Sequence, residues 1–564
     1  MSVSSNVVRN PILPGFNPDP SICRVGNDYY IATSTFEWYP GVQIHHSTNL
    51  VDWTLLTRPL RRVSQLDMRG NPDSCGVWAP CLSHADGRFW LIYTDVKRYD
   101  GNFKDAHNYL VSTTDITGEW SDPVYLNSSG FDPSLFHDDD GRKWLLNLEW
   151  NHRQGSKGHE EPKNNFGGIV LQEYDATNER LLGEPQVVFR GSERGITEGA
   201  HVLKRDGWYT MITAEGGTGY EHAVTHARSR SIAGPYELHP DVHVITANPD
   251  DQGELQRAGH GQPVQTPGGE WYHVHLCSRP LDVTSLRRSP LGRESGIQKV
   301  EWGDDGWMRL IDGGVAPRLE VPGPADDIAD GMATVEYSPL SGDAPYAGAL
   351  PSPVDDSARI YTFKKHLPLD FQWLRSPDWQ RLFSLDARPG FLRLYGRESL
   401  GSWFEQGLIA RRQQHVSYSA ETVVDVAPVS HQQGAGLIAY YDRQRFHVVY
   451  VTHDESRGRV LSIASCNGDW PLMRLSWPLD TPLSIDEGEI ELACDVERES
   501  LRFRYRQGGD WNGIGPVLDA SVLSDEAARG EHASFTGAFI GVVAFDTSGR
   551  GMPADVERFT YSPV

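Results

Sequence analysis

The chain has 564 residues, more than one hydrophobic core ordinarily organises, so we expect two or more domains. Its formal net charge of −24 excludes the basic surface that binding to nucleic acid or to an anionic membrane requires. No stretch of about eighteen apolar residues occurs, which excludes a membrane-spanning helix.

The start of the chain, MSVSSNVVRNPILPGF, has neither the basic segment nor the apolar core of a secretion signal. Six cysteines occur without any CxxC pair, which is typical of free buried thiols in an intracellular protein. These two features predict a cytoplasmic location.

A short segment recurs five times before residue 315. Each copy opens on a polar or aromatic residue, continues as an apolar strand, turns tightly and ends in a second strand. The copies begin at Asp19, Trp78, Asp132, Glu198 and His260, each 54–66 residues after the one before. Repeats of this size with about four short strands are typical of propeller blades. We therefore predict a five-bladed β-propeller over residues 1–321, with a sandwich or barrel as the alternative.

Three of the repeats contain an Asp-Gly pair between their two strands, at Asp86-Gly87, Asp140-Gly141 and Asp206-Gly207. Asp-Gly is a preferred sequence for two-residue hairpin turns, because both central residues of such a turn have positive φ. Each pair therefore predicts a β-hairpin inside its blade.

The composition changes after the fifth repeat. Residues 322–356 are rich in Pro, Gly, Ala and Asp, which predicts a linker over the surface. Residues 357–564 contain strand-like runs without the repeat, among them FLRLYG, GAGLIAYYD and GAFIGVVAFD. Their alternation predicts a β-sandwich domain. The predicted fold class is thus all-β, a five-bladed propeller followed by a β-sandwich.

The residues that open the repeats are candidates for a common site. Innermost strands line the axis of a propeller, so Asp19, Trp78, Asp132, Glu198 and His260 should surround one cavity. Carboxyls crowded in a partly dry pocket cannot all ionise, so at least one pKa must rise. Glycoside hydrolysis uses this division between a protonated acid and an ionised base. The alternative is that the Asp-Pro-Ser openings are only turn residues that cap the starts of strands.

Seven segments carry a resemblance to a known family. They are GFNPDPSI (15–22), TSTFEWYPGVQIHHS (33–47), GNPDSCGVWAP (70–80), TEGAHV (197–202), LGRESGIQKVEW (291–302), ARPGFLRLYG (387–396) and FTGAFIG (535–541). The chain resembles the β-xylosidases of glycoside hydrolase family 43 over nearly its whole length. The resemblance implies an exo-acting, inverting enzyme that releases D-xylose from the non-reducing end of β-1,4-xylo-oligosaccharides, with side activity on α-L-arabinofuranosides.

The resemblance also implies roles for individual residues. Asp19 matches the general base, Glu198 the general acid, and Asp132 a third carboxylate that orients the acid and raises its pKa. Arg293 matches an arginine that contacts the sugar and the third carboxylate. Further substrate-binding residues implied in the same way are Phe36, Trp78, Phe535, which reaches in from the sandwich domain, and His260.

Several expectations about partners follow. The chemistry requires no cofactor, although the resemblance places a calcium ion near His260 in some relatives. A homo-oligomer, either a dimer or a tetramer, is also expected from the resemblance. Two other functions stay open: a protein that is primarily an α-L-arabinofuranosidase, and a non-catalytic carbohydrate-binding propeller. Three crowded carboxyls argue against the latter, because a pure binding protein does not need them.

Overall fold

The computed structural model describes residues 7–153, 165–247, 253–283, 286–325, 340, 344–527 and 534–564. Strands form almost all of its regular structure, and the named helical turns (Trp379–Arg381, Ala520–Val522 and Asp525–Ala527) are short 3-10 turns. Among the described residues, no helix has the length and hydrophobicity needed to cross a bilayer. All six cysteines are free thiols.

Five antiparallel sheets form the predicted propeller. The first contains β2 (Ser21–Val25), β3 (Asp28–Thr33), β5 (Gln43–Ser47), β6 (Trp53–Thr57) and β26 (Ser352–Val354). The second contains β7 (Gly76–Ala85), β8 (Arg88–Arg98), β9 (Asp105–Thr113) and β10 (Val124–Asn127). The third contains β11 (Ser134–His137), β12 (Lys143–Trp150), β13 (Phe166–Asp175) and β14 (Arg180–Phe189). The fourth contains β15 (Glu198–Arg205), β16 (Trp208–Glu215), β17 (Ala223–Ser229) and β18 (Glu237–Thr246). The fifth contains β19 (Gln256–Gln265), β20 (Trp271–Ser278), β23 (Glu294–Trp302) and β24 (Met308–Leu310).

The first strands of the five sheets form a ring. Strands β2, β7, β11, β15 and β19 each contact the next, and β19 contacts β2 again. Two small pairs complete this region: β1 (Val7–Arg9) with β25 (Glu320–Pro322), and β21 (Leu281–Val283) with β22 (Leu286–Arg288). The pairing of β1 with β25 joins the two ends of the propeller segment.

The Asp-Gly pairs form two kinds of turn. At Asp86-Gly87 and Asp206-Gly207 both residues have positive φ, as a two-residue hairpin turn requires. At Asp140-Gly141 only the glycine does, and the connection spans the five residues between His137 and Lys143. The two-residue turn predicted there is wrong, because Asp138 lies within the loop and accepts a hydrogen bond from the backbone N–H of Asp139.

Two eight-stranded sheets form the predicted sandwich. One contains β29 (Phe383–Ser384), β30 (Leu392–Tyr395), β41 (Pro553–Pro563), β32 (Ser417–Val426), β37 (Ile490–Glu497), β38 (Ser500–Arg506) and β39 (Asn512–Asp519), with β27 (Arg359–Thr362) paired to β41. The other contains β36 (Leu483–Ser484), β35 (Gly458–Asn467), β34 (Arg445–Asp454), β33 (Gln433–Asp442), β40 (Phe539–Asp546), β31 (Gly407–Arg412), β28 (Phe371–Leu374) and β4 (Trp38–Tyr39). The all-β fold class, a five-bladed propeller and a sandwich, is confirmed.

The propeller and the sandwich share secondary structure. Strand β4 lies in the chain between two strands of the first blade, yet it pairs with β28 at the edge of a sandwich sheet. The Trp38 ring stacks on Phe539 with 3.6 Å between the ring centroids. In return, β26 adds to the outer edge of the first blade. Part of the predicted linker at residues 322–356 is therefore a strand, whereas residues 326–339 and 341–343 lie outside the described residues.

The stacking of Trp38 on Phe539 predicts that Trp38→Ala destabilises the whole molecule. Loss of a fully buried indole should lower the free energy of unfolding by about 3–5 kcal/mol. Thermal denaturation measures the effect, with Trp477→Ala as the control because Trp477 is 58% exposed. Equal thermal stability of the two variants would contradict the shared-sheet interpretation.

Candidate active site

A single cavity lies at the ring of first strands. It has a volume of about 510 Å³, and all eight residues predicted from the sequence line it: Asp19, Phe36, Trp78, Asp132, Glu198, His260, Arg293 and Phe535. Three of the five blades contribute a side chain from their first strand, namely Trp78, Glu198 and His260, whereas Asp19 and Asp132 each stand two residues before β2 and β11. The structure thus brings together residues that are up to 516 positions apart in the chain.

The backbone turns in a similar way at the start of each first strand. Positive φ angles occur at Asp19, Ala79, Asp132, Gly199 and His260. Trp78 and Glu198 therefore stand one residue before the turning position, although the sequence repeat aligns them with Asp19. Bulges explain the offset, because the pairing of β7 with β8 and of β15 with β16 shifts just after these two residues.

Asp19 is the ionised carboxylate of the site. It is 5% exposed, and its Oδ1 accepts a 2.9 Å hydrogen bond from Arg293 Nη1. Its Oδ2 accepts a 2.7 Å hydrogen bond from the hydroxyl of Ser34. Burial by itself raises the pKa of Asp19, but Arg293, His260, Ser34 and His222 together outweigh it and lower the pKa. Asp19 therefore carries a negative charge at neutral pH.

Glu198 and Asp132 hold protons more tightly. Burial and the charge of Asp19 raise the pKa of Glu198 to about 8. Burial, followed by the charges of Glu198 and Asp19, raises the pKa of Asp132 well above its ordinary range. The two carboxyls titrate as a coupled pair, so this pair retains a proton at neutral pH whereas Asp19 does not. Asp19 is the charge that raises the pKa of Glu198, and the pKa of Asp132 rises with it.

Arg293 connects the two domains at the site. Besides Asp19, its guanidinium donates to the backbone carbonyl of Phe535 through Nη2 at 3.1 Å. The guanidinium carbon lies 5.3 Å from the ring centroid of Phe36 and 5.9 Å from that of Phe535. The resemblance implied contact with Asp132, but the direct ion pair is with Asp19. The charge of Arg293 still lowers the pKa of Asp132.

Three aromatic rings form a wall of the cavity. The ring centroids of Phe36 and Trp78 are 5.8 Å apart, and those of Trp78 and Phe535 are 5.7 Å apart. Phe535 precedes β40 of the sandwich, and its backbone N–H donates to the hydroxyl of Ser74 in the propeller. An apolar wall beside a few charged groups is typical of a pocket that binds a small molecule.

Comparison with known proteins identifies the family. The model of glycosyl hydrolases family 43 matches residues 8–308, more than half of the chain. The chain belongs to this family. The beta xylosidase C-terminal concanavalin A-like domain matches residues 361–562.

Relatives in family 43 match over nearly the whole chain. A xylosidase/arabinosidase 43B of Humicola insolens is 51% identical over 564 residues, covering 99% of this chain and 98% of the relative. A β-xylosidase of Bacillus subtilis strain 168 is 46% identical over 563 residues, covering 98% and 99%. The crystal structure of xylan β-1,4-xylosidase from Bacillus halodurans C-125 superposes with a TM-score of 0.88 at 45% identity, covering 98% of this chain and 100% of that one.

His260 lines the cavity of the family 43 site beside Asp19. Its Nδ1 is 3.7 Å from Asp19 Oδ1, and burial lowers its pKa. Calcium takes six to eight oxygen ligands, but among the described residues no group of three or more His, Cys, Asp or Glu side chains could hold a metal ion. Asp19, the carboxylate beside His260, already binds Arg293 and Ser34. These residues do not fit a calcium site, so calcium stays a prediction from the resemblance alone.

Several residues of the cavity were not found from the sequence. Those that add aromatic rings or charge are Tyr99, Lys104, Phe131, Trp150 and Phe166. Lys104 Nζ lies 4.3 Å above the ring of Trp150, and burial lowers the pKa of Lys104 to about 8. Trp150 ends a repeat strand, a position that could have pointed to it. Nothing in the local sequence distinguishes Lys104 from a surface lysine.

Gly199 is a position at which substitution should disturb the geometry of the site. Its φ is +58°, and a Cβ there would lie 2.8 Å from His260 Nε2. Gly199→Ala should therefore displace Glu198 or His260 and lower kcat/KM on an aryl β-xyloside by about 10–100-fold. Gly87→Ala is the matched control, since Gly87 has a φ of +72° but no atom within 4 Å of an added Cβ. Similar losses in both variants would show that backbone strain alone is responsible.

Proposed function

We propose that the protein is an exo-acting, inverting β-xylosidase that releases D-xylose from the non-reducing end of β-1,4-xylo-oligosaccharides. One observation carries the proposal: a single buried pocket holds an ionised Asp19 together with the proton-retaining pair Glu198 and Asp132. An inverting glycosidase needs one carboxylate as base and one carboxylic acid as proton donor. The names of the relatives from Bacillus species, a β-xylosidase and a xylan β-1,4-xylosidase, support the choice of xylose.

Asp19 would act as the general base. Its charge is maintained by Arg293 and Ser34, so it can take a proton from a water on one face of the sugar. Water attack inverts the anomeric carbon in one displacement. Arg293 holds Asp19 through a short ion pair, and this fixes the direction from which the water is deprotonated.

Glu198 would act as the general acid. With a pKa of about 8 it is protonated at neutral pH and can donate to the glycosidic oxygen as the bond breaks. Asp132 lies in the same cavity, where burial and then the charge of Glu198 raise its pKa. We propose that Asp132 orients Glu198 and shares its proton.

We propose an exo mode of hydrolysis because of the residues that line the cavity. Phe36, Trp78 and Phe535 line one side of the pocket around the guanidinium of Arg293. Since Phe535 comes from the segment preceding β40, we propose that the sandwich domain closes the site and restricts it to a terminal sugar. His260, which lines the pocket beside Asp19, would help to shape it.

A second activity, on α-L-arabinofuranosides, is proposed because the Humicola insolens relative is named a xylosidase/arabinosidase. The ratio of kcat/KM values on aryl β-D-xyloside and aryl α-L-arabinofuranoside ranks the two activities. We further propose that the protein is a homo-oligomer, and light scattering of the purified protein would test this oligomeric state. We also propose a cytoplasmic location.

The proposed function predicts the stereochemical course of xylobiose hydrolysis. Proton NMR of a fresh digest should show α-xylose as the first product from the non-reducing unit, because a single displacement inverts a β-linkage. First appearance of β-xylose would indicate a retaining reaction. The absence of any hydrolysis would favour a carbohydrate-binding protein.

The roles of Glu198 and Asp19 predict different substrate and pH dependence. Glu198→Ala should lose far more activity on xylobiose than on an aryl xyloside, because a good leaving group needs little protonation. In the wild type, kcat/KM should fall as pH rises through about 8, where Glu198 loses its proton, and this limb should disappear in Glu198→Ala on the aryl substrate. Asp19→Ala should impair both substrates alike. If Glu198→Ala lost the same fraction of its activity on xylobiose and on the aryl xyloside, Glu198 would not be the general acid.

A further inference from the structure

Three arginines are buried where the propeller meets the sandwich. Arg58 and Arg411 are each 2% exposed, and Arg412 is 5% exposed. Arg58 follows β6 of the first blade, whereas Arg411 and Arg412 end β31 of the sandwich. An arginine side chain stays charged in proteins, so three positive charges lie within this interface.

The hydrogen-bond partners of these guanidiniums are neutral. Arg58 Nε donates to Gln43 Oε1 at 3.2 Å, and Arg412 Nη1 donates to the same oxygen at 2.9 Å. Arg412 Nε donates to the carbonyl of Phe16 at 2.6 Å. Arg411 Nη1 donates to the hydroxyl of Tyr361. Among the described residues, no carboxylate forms an ion pair with Arg58, Arg411 or Arg412.

The nearby carboxylate is already engaged. Asp370 Oδ1 lies 3.1 Å from Arg359 Nη1, and its Oδ2 accepts a hydrogen bond from the hydroxyl of Ser352. Burial lowers the pKa of Arg412, and the charge of Arg58 lowers it further. The charge of Asp370 acts in the opposite direction on both Arg412 and Arg58, but Asp370 forms its ion pair with Arg359.

A small cavity lies beside the uncompensated charges. It has a volume of about 30 Å³ and is lined by Arg411, Arg412, His45, Asp370 and Gln414, among others. Two buried nitrogens of this lining, Arg412 Nη2 and His45 Nδ1, have no hydrogen-bond partner. His45 is 2% exposed and neutral, since burial, Arg412 and Arg58 lower its pKa to about 3. The cavity therefore offers an unused guanidinium N–H of Arg412 and, in the tautomer of His45 that carries its proton on Nδ1, an imidazole N–H, both beside buried positive charge.

We propose that this cavity binds a monatomic anion, such as chloride, which is held by Arg412 and His45 and serves as the counter-ion of the buried arginines. A cavity of about 30 Å³ favours a small anion. A water would satisfy the donors but leave the positive charges uncompensated. The anion thus stabilises the docking of the first blade on the sandwich.

The site also supports the segment that leads to Asp19. Asn17 lines the same cavity, and its Oδ1 accepts a 2.8 Å hydrogen bond from Gln43 Nε2. The backbone N–H of Asn17 donates to the carbonyl of Arg293. Since Arg412 holds the carbonyl of Phe16, the anion stabilises the two residues from which the chain continues to Asp19. Its loss should loosen this segment and lower the thermal stability.

Bromide diffraction and thermal denaturation test the proposal on the full chain. Crystals soaked in sodium bromide should show an anomalous peak within hydrogen-bond distance of Arg412 Nη2. At constant ionic strength, replacing sodium gluconate by sodium chloride should raise the apparent Tm saturably, by about 1–3 °C. Water alone in the cavity, or equal Tm values in the two salts, would overturn the proposal.

A variant with a built-in negative charge separates this site from general salt effects. Gln414 lines the cavity and accepts a hydrogen bond from Arg411. In Gln414→Glu the new carboxylate should replace the anion, lowering halide affinity at least tenfold and abolishing the bromide peak. Gln432→Glu, at an exposed position, should keep the wild-type response. Identical halide responses of the two variants would contradict the assignment of the anion to this cavity.

Discussion

The buried ion pair between Arg293 and Asp19 is the interaction on which the site depends. Three carboxyls meet at the propeller axis, and burial disfavours the charge on each of them. Arg293 compensates one negative charge through a 2.9 Å hydrogen bond to Asp19. That one charge then raises the pKa of Glu198 and of Asp132. The division between an ionised base and a protonated acid follows from burial of all three carboxyls together with a guanidinium that, with His260, Ser34 and His222, stabilises the charge of only one of them.

The same arginine makes the catalytic site a product of both domains. It is held by the carbonyl of Phe535, which belongs to the sandwich, and β4 of the propeller is a strand of a sandwich sheet. The interface between the two units also contains the buried arginines at 58, 411 and 412, for which we propose a bound anion as counter-ion. Stability of this interface and geometry at Asp19 are therefore linked, because Phe16 and Asn17 belong to both.

Much of the fold and the centre of the site could be predicted from the sequence. The sixty-residue repeat predicted five blades, since each blade is built from contacts that are local in the chain. The repeat openings predicted that Asp19, Asp132 and Glu198 converge, because equivalent positions of a propeller face one axis. The alignment was off by one residue at Trp78 and Glu198, since a bulge in a strand is not visible in the spacing of apolar residues.

The sequence by itself determined the class of the fold, the blade repeat and the identity of the carboxyls at its axis, because short-range patterns encode strands, turns and their periodicity. Only the tertiary structure decided which carboxyl Arg293 pairs with, that Lys104 and Trp150 join the pocket, and that β4 and β26 exchange between the domains. These features depend on the packing of segments far apart in the chain. Burial and distance, which set every pKa in the site, exist only once that packing is complete.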